Sequence, residues 1–374
     1  MNTRVDAYDI KAAVLHAADG PFVIEDCRIE APRAGEILVR IVAAGVCHTD
    51  AVVRHRDIPT PLPLVLGHEG AGVVEAVGAG VRKVTPGDHV VLTVNSCGQC
   101  EPCLCGHPSI CHSVFPLNFG GSRPDGSHAL SLAGQPLNDQ FFGQSSFATK
   151  AIAQERNVIK VPKSAPLELL GPLGCGVQTG AGAVLTALKV RSGESLAVFG
   201  SGAVGLSAVM AARVVGATTI IAVDLVQARL ELARELGATH VIDGREGDAA
   251  TRIRQITGAG VHYALDTTGN MKVIRDAIDA LRMGGTCGVV GASAPQAELS
   301  LPMTPFMSQS KCVRGIVEGD AVPDVLIPQL VALHQQGRFP FDRLCRFYDF
   351  TQINQAVKDS EQGVTVKPIL RMPV

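Results

Sequence analysis

The 374 residues predict two architectures in one chain, an all-β, barrel-like region followed by a doubly wound parallel α/β sheet, and three observations carry that expectation. Residues 37 to 94 are rich in Val and Ile and punctuated by Gly. From residue 195 onward, strand-like and helix-like runs alternate strictly. The composition, 46% hydrophobic against 18% charged, can fill about two separate cores.

The β region rests on "ILVRIVAAGVC", "GAGVVEAVGAGV" and "DHVVLTV", with "TPGD" as a turn. Residues 112 to 150 read as a long irregular segment, rich in Gly, Ser and Phe, that leads into "SFATKAIAQ". The α/β region opens with strand "SLAVFG" and helix "AVGLSAVMAARVVG", then strand "TIIAVD" and helix "LVQARLELARELG". Strand "HVID", a helix over 248–257, strand "HYALD", a helix over 271–283 and strand "TCGVVG" complete the alternation of a doubly wound sheet. After "KCVRGIV" comes helix "VPDVLIPQLVALHQQG", and "VKPIL" reads as a strand returning to the first region. The expected boundaries are 1–184, 185–318 and a return over 319–374.

A formal net charge of -2 offers no broad attraction to nucleic acid or to an anionic membrane, so a small-molecule partner is expected. "MNTRVDAYDIKAAVLHAADG" lacks the apolar stretch of a signal peptide and no run reaches membrane-spanning length, so the expected location is the cytoplasm. In a reducing compartment, eleven cysteines argue for metal ligands or buried thiols before disulfides.

"FGSGAVG" places Gly200, Gly202 and Gly205 directly after a strand and at the opening of a helix. In that context Gly200 permits the turn, Gly202 lets a pyrophosphate approach the backbone, and Gly205 lets helix pack on strand. Ala203 and Val204 begin the helix whose free N–H groups face the phosphate. Asp224 ends the next strand, where a carboxylate accepts from adenosine ribose hydroxyls and repels a 2′-phosphate. NAD is therefore the expected cofactor, in preference to NADP; the competing reading of Asp224 is a helix cap. Arg229 on the following helix faces the same ribose or is a solvated charge.

"CGQCEPCLCGHPSIC" packs five cysteines into fifteen positions. Cys97, Cys100, Cys103 and Cys111 can close a tetrahedral zinc shell with no open position, the signature of a structural site, in a lobe over about 95–113. Cys105 is a spare thiol outside the repeated two-residue spacing. An iron–sulfur cluster or a redox pair are the alternatives on spacing alone. The scarcity of Lys and Arg in the lobe argues against a nucleic-acid-binding zinc module. Three further candidate ligand segments, "GVCHTD", "LGHEGAG" and "LGCGVQTG", are scattered, and spacing does not join them.

Taken together and in order, "GVCHTD", "GHEGAG", "CGQCEPC", "LGCGVQTG" and "GSGAVG" followed by Asp224 resemble the zinc-dependent medium-chain alcohol dehydrogenase family over nearly the whole chain. The resemblance implies a GroES-like catalytic domain interrupted by a Rossmann domain. It also implies two zinc ions per chain: a catalytic one on Cys47, His68 and Cys175, with Glu69 behind it as an alternative ligand, and a structural one on the four clustered cysteines. The implied chemistry is reversible NAD-linked oxidation of a primary alcohol, with hydride leaving a zinc alkoxide for the nicotinamide. Asp50 matches the carboxylate that orients the histidine ligand, or is a turn residue. Thr49 matches the hydroxyl that takes the alcohol proton, or is an ordinary turn residue.

The position three after Thr49, where many members carry a relay histidine, is Val52, which cannot transfer a proton; His55 is a candidate substitute. His48 and Lys367 match basic positions near the cofactor pyrophosphate, each with an exposed charge as the competing reading, and Thr179 matches a residue packed by the nicotinamide. Within the family, "HTDAVVRHRDIPTPLPLVLGHEGAG", "FPLNFGGSRPDGS" and "FFGQSSFATK" look most like bacterial aryl-alcohol and allylic terpene alcohol dehydrogenases. Phe115, Phe119, Phe141 and Phe142 either line an aromatic-tolerant pocket or fill the core under the loop. The alternatives are a glutathione-linked formaldehyde dehydrogenase and a non-catalytic zinc-stabilised NAD-binding sensor. An oligomer, dimer or tetramer, built through the nucleotide domain is expected from the edge-like strand "TCGVVG".

Overall fold

The computed structural model describes residues 7–373. They pack as two units, each with its own core. One runs up to Cys175 and takes in Val322–Gln335 and the chain from Asp342 on; the other is Gly176–Ala321 with Gln336–Phe341. The division falls at Cys175, earlier than residue 184, because helix Gly176–Gly182 packs on helix Ala203–Val215. A Cβ at Gly180 would meet the Val204 carbonyl oxygen at 1.9 Å. It falls at Ala321, later than 318, and the helix that follows, Pro323–Gln335, pairs Asp324 with Lys83 at 2.5 Å in the first unit.

The first unit is two β-sheets around one core. A five-stranded sheet runs in the order Leu64–Val65, Ala7–Leu15, Phe22–Glu30, Leu130–Leu132, Gln135–Leu137. The other sheet runs Val158–Val161, His89–Leu92, Glu69–Val77, Glu36–Gly45, Lys367–Arg371, Cys345–Asp349. Strand Glu36–Gly45 is its hub, since Lys150–Gln154 also pairs along it. Its Ile37, Leu38 and Val39 are fully buried, each side chain contributing about 1.5–3 kcal/mol by leaving water. At the far end of the hub, Gly45 lies opposite both Glu69 and Ile369, which brings the C-terminal strand beside "GHEG".

Residues 112 to 150 are more ordered than composition suggests, with helix Val114–Phe119 and the hairpin Leu130–Leu132/Gln135–Leu137. Strands of three residues are too short to show a period. The segment is pinned by Arg123, which is 4% exposed and donates to Glu36 Oε1 at 2.7 Å, Glu36 Oε2 at 3.0 Å and Glu30 Oε2 at 2.9 Å.

The second unit is a six-stranded, all-parallel sheet in the order His240–Asp243, Thr219–Asp224, Ser195–Phe199, Val261–Asp266, Leu281–Val289, Cys312–Gly315. Its strands are nearly continuous apolar runs because helices cover a parallel sheet. The helix expected over 271–283 ends at Asp279, and its strand begins at Leu281. Gly284, at φ +73°, lies in the irregularity where the strand's register shifts. The chain order reverses at Ser195–Phe199, so a crevice opens at the carboxyl ends on either side of it.

Candidate active site and nucleotide crevice

In the first unit, ligand atoms of Cys47, His68, Glu69 and Cys175 all lie within 4.8 Å of one another. Three local structures deliver them. Cys47 is the N-cap of helix His48–Arg54, and its backbone N–H donates to Asp50 Oδ2 at 2.9 Å. Glu69 opens the strand paired to the hub, with His68 directly before it, and the Glu69 side chain lies so close to the hub that a Cβ on Gly45 would meet its Oε2 at 2.1 Å. Cys175 follows the tight turn Gly171–Gly174. There, side chains at Gly171 and Gly174 would strike the carbonyl oxygens of Glu69 and Leu92 at 2.2 and 2.0 Å.

Asp50, 1% exposed, takes a second hydrogen bond from His68 Nδ1 at 3.0 Å. A carboxylate accepts only, so Nδ1 carries a hydrogen and Nε2 is left to face the cluster. That Nε2 is fully buried and has no hydrogen-bond partner among the described residues. A buried, unpartnered imidazole nitrogen beside two thiols is costly without an electrophile to hold, and the sulfur and nitrogen donor set suits zinc. The Cys47 thiol is held well below its ordinary value by the Cys175 sulfur first, burial opposing, and then by Lys367 and His68. Thr49 is half-buried, with Oγ1 3.9 Å from Cys47 Sγ.

Glu69 is fully buried, and both of its carboxylate oxygens accept from Lys367 Nζ, at 2.9 and 3.0 Å. The third ammonium hydrogen goes to Val46 O at 3.1 Å. Lys367, expected at a pyrophosphate or on the surface, is thus 2% exposed, with its donors spent inside the first unit. Burial opposes its charge, but Glu69 and the Cys47 sulfur outweigh that and raise its pKa. His48 is exposed on its helix. His55, the candidate relay, is turned to the surface: Nδ1 lies 2.5 Å from Asp19 Oδ1 and Nε2 3.3 Å from Glu361. Val52 is half-buried on the same helix.

Two residues that hold the cluster were not singled out from the sequence. Gln144, 2% exposed, donates to His68 O at 2.9 Å and accepts from Gly70 N at 3.1 Å, bracketing the histidine's backbone. Thr93 donates to Gly174 O at 2.7 Å, beside Cys175. Neither residue type is diagnostic alone; the "FGQSSFA" string was the available signal for Gln144. The aromatic segment does reach the site. Phe142 stacks on the His68 ring at 4.4 Å between centroids, Phe141 meets it edge-on at 5.3 Å, and Phe119 packs on both phenylalanines. Phe141 is wholly buried, whereas Phe115, 65% exposed, touches Phe119 from outside.

Cys97, Cys100, Cys103 and Cys111 form a second group whose sulfurs all lie within 4.8 Å of one another. Backbone N–H groups of Cys97, Cys100 and Ser113 point at Cys111, Cys97 and Cys111 sulfurs at 3.3, 3.4 and 3.4 Å. Donors of this kind, from Gln99 and Cys100, bring the Cys97 thiol down to about 6. Cys105, outside the group, is exposed.

In the second unit, Gly200 takes φ +92° and a side chain there would strike Thr267 Oγ1 at 2.4 Å; one on Gly205 would meet Gly200 O at 1.8 Å. Gly202, the N-cap of helix Ala203–Val215, has nothing within 4 Å of its missing Cβ. That opening at the first turn, bounded by Ala203 and Val204, fits a diphosphate lying against the helix start. Asp224 ends its strand at 9% exposure, with Oδ2 accepting from Ser201 N at 2.6 Å and Oδ1 from Val226 N at 2.9 Å. It therefore ties the glycine loop to its own turn. Arg229 is half-buried on helix Gln227–Leu236, and its Nε has no partner among the described residues. Thr179, 7% exposed, lies on helix Gly176–Gly182.

Comparison with known proteins agrees with this arrangement. Residues 33–163 match the alcohol dehydrogenase GroES-like domain and 203–333 the zinc-binding dehydrogenase family. The chain is 50% identical to a geraniol dehydrogenase of Castellaniella defragrans, over 99% of this chain and the whole of that one. A crystal structure of benzyl alcohol dehydrogenase from Acinetobacter calcoaceticus superposes with TM-score 0.96 at 48% identity, covering 98% of this chain and all of that one. An alcohol dehydrogenase zinc-binding domain protein from Burkholderia ambifaria gives TM-score 0.98 at 59% identity, covering 99% and 100%. Among the described residues no helix is long and apolar enough to cross a membrane. With its ordered motifs, its GroES-like and Rossmann sheets and these full-length relatives, the chain belongs to the zinc-dependent medium-chain alcohol dehydrogenases, enzymes that use zinc and a nicotinamide dinucleotide on small alcohols.

Proposed function

We propose that the protein catalyses reversible, NAD-linked oxidation of primary alcohols of benzyl or allylic type to aldehydes, with one zinc on Cys47, His68 and Cys175 and a second on Cys97, Cys100, Cys103 and Cys111. The observation that carries the reading is the buried His68 Nε2, without a hydrogen-bond partner among the described residues, set beside two thiols and stacked on by the Phe142 ring. The geraniol and benzyl alcohol dehydrogenases among the relatives support the substrate class. So does the aromatic wall of Phe119, Phe141 and Phe142, which suits a flat, conjugated substrate.

Zinc, when bound, polarises the alcohol oxygen, and the oxidised nicotinamide accepts hydride. The protein's part is positional. Asp50 fixes the ring orientation of His68, Gln144 fixes its backbone, and Lys367 tethers both carboxyl oxygens of Glu69 behind the cluster. Thr49 Oγ1 would accept the alcohol proton as its own hydroxyl hydrogen passes to the cofactor ribose and from there to water, since Val52 cannot relay it further. Asp224 receives the adenosine ribose and disfavours a 2′-phosphate, hence NAD. The proposed location is the cytoplasm. The proposed assembly is a homodimer or homotetramer.

The test is a panel of benzyl alcohol, geraniol, ethanol and S-hydroxymethylglutathione with NAD and with NADP. Benzyl alcohol or geraniol with NAD should exceed ethanol in kcat/KM by about tenfold or more. A preference for S-hydroxymethylglutathione would move the protein to the formaldehyde branch. A zinc-loaded protein that binds NAD but turns over none of the four would be the sensor.

A further inference from the structure

The parallel sheet fixes which half of the dinucleotide lies where. Asp224, the proposed ribose acceptor, ends the strand on one side of the switch strand Ser195–Phe199. The nicotinamide half then extends to the other side, over the carboxyl ends of Val261–Asp266, Leu281–Val289 and Cys312–Gly315. The chain leaving the last of these strands makes an unusual turn. Glu318, Gly319 and Asp320 are consecutive and all left-handed, with φ of 49°, 68° and 52°. Left-handed backbone at a non-glycine residue costs on the order of 1 kcal/mol or more, so such a turn persists only when it is held from outside.

It is held at both ends. Asp320 pairs with Arg314 at 2.5 Å. Glu318 Oε2 accepts from Gln178 Nε2 at 3.1 Å and from Thr179 Oγ1 at 3.3 Å. Between them, Gly319 lies so close to helix Gly176–Gly182 that a Cβ would meet Gln178 O at 2.7 Å and a Gly182 backbone carbon at 2.8 Å. A carboxylate is thereby bonded to the hydroxyl of Thr179, the residue matched to the nicotinamide contact, on the side of the crevice the nicotinamide must occupy. Gln178 is fully buried and Thr179 nearly so, while Glu318 itself is half-buried, so its charge reaches the crevice and stays open to screening by salt.

We propose that Glu318 sets the redox-state preference of the cofactor site: its carboxylate favours the oxidised nicotinamide, whose ring carries a positive charge, over the reduced ring, which is neutral. The two forms share their diphosphate and riboses, so a fixed charge near the ring acts on the difference between them alone. Glu318 is a specificity-determining residue in this sense and takes no proton or hydride itself. Stabilising the oxidised form holds NAD for the incoming alcohol and loosens NADH for release. The inference rests on the nucleotide site proposed above.

The experiment is direct titration of the zinc-loaded protein with NADH, followed by its fluorescence, and competition with NAD. In Glu318→Gln the ratio of Kd for NAD to Kd for NADH should rise on the order of tenfold, almost all of it in NAD. Glu318→Asp, which keeps the charge, should stay much nearer the wild-type ratio. In the wild type, rising ionic strength should weaken NAD more than NADH, a readout that does not depend on any variant folding. Equal loss of both affinities in Glu318→Gln, or no loss of either, would overturn the inference while leaving the cofactor site intact. Absence of saturable NADH binding by the wild type would overturn the nucleotide reading itself and the inference with it.

Discussion

The two thiol clusters are built in opposite ways. Cys97, Cys100, Cys103 and Cys111 come from one short, half-exposed stretch whose own backbone N–H groups point at the sulfurs. Cys47, His68, Glu69 and Cys175 come from a helix cap, a strand start and a tight turn, and are buried or nearly so. A local cluster needs little beyond spacing, and once its four thiolates bind a metal it is full. A dispersed cluster needs the whole β unit, and that is what can keep a coordination position open and dry for substrate.

The sharpest probe of that difference is ligand removal. Cys47→Ser or His68→Ala should lower kcat/KM by about a thousandfold or more and release one zinc, with little change in Tm. Cys100→Ser or Cys111→Ser should also release one zinc, yet leave the folded enzyme active within severalfold. Its cost should appear as a lower Tm and as proteolysis within residues 95–113, since a metal bound there would stabilise a segment with little core of its own. Metal analysis, kcat/KM and limited digestion of the same samples decide it. Equal loss of activity from both clusters would erase the distinction.

A smaller effect tests the support of the buried cluster alone. Asp50→Asn keeps the shape but loses the carboxylate that His68 Nδ1 requires, and should cost about 10–100-fold in zinc affinity or turnover. Zinc in the cysteine lobe should be unaffected, as chelator titration would show.

The smallest effect contrasts two buried carboxylates. Asp50 has the His68 ring as a partner. Asp139 instead accepts from the backbone N–H groups of Ala129 and Leu130 at 2.6 and 2.8 Å, and burial pushes its carboxyl up from 3.8 to about 7. The native state therefore binds this proton more tightly than the unfolded chain does. The stabilisation is complete below about 4 and is lost as pH rises through about 7. Asp139→Asn keeps an acceptor and removes the charge, so it should flatten this part of the profile and melt a few degrees above wild type on the alkaline side. Identical pH profiles of Tm for the two proteins would remove Asp139 from the account.

The sequence made the nucleotide crevice and the cysteine lobe legible because each is local: a strand, a glycine turn and a helix in the first case, repeated spacing in the second. The dispersed cluster was legible through resemblance alone, since no period joins Cys47 to Cys175. Lys367 went astray for a related reason. A lysine in "VKPIL" looks like a surface charge until the hub strand brings Ile369 opposite Gly45 and the ammonium beneath Glu69. His55 misled similarly, because its partners Asp19 and Glu361 are distant in sequence. Gln144 and Glu318 act through geometry that composition does not encode: a side chain bridging two backbones in one case, a left-handed turn held by a neighbouring helix in the other.

The Glu69–Lys367 pair joins positions 298 residues apart. During synthesis, Cys47, His68 and Cys175 all leave the ribosome before that lysine exists, and until it arrives Glu69 lacks the ammonium that holds both of its oxygens in the folded unit. Completion of the cluster's surroundings therefore awaits the return of the C-terminal strand to the hub.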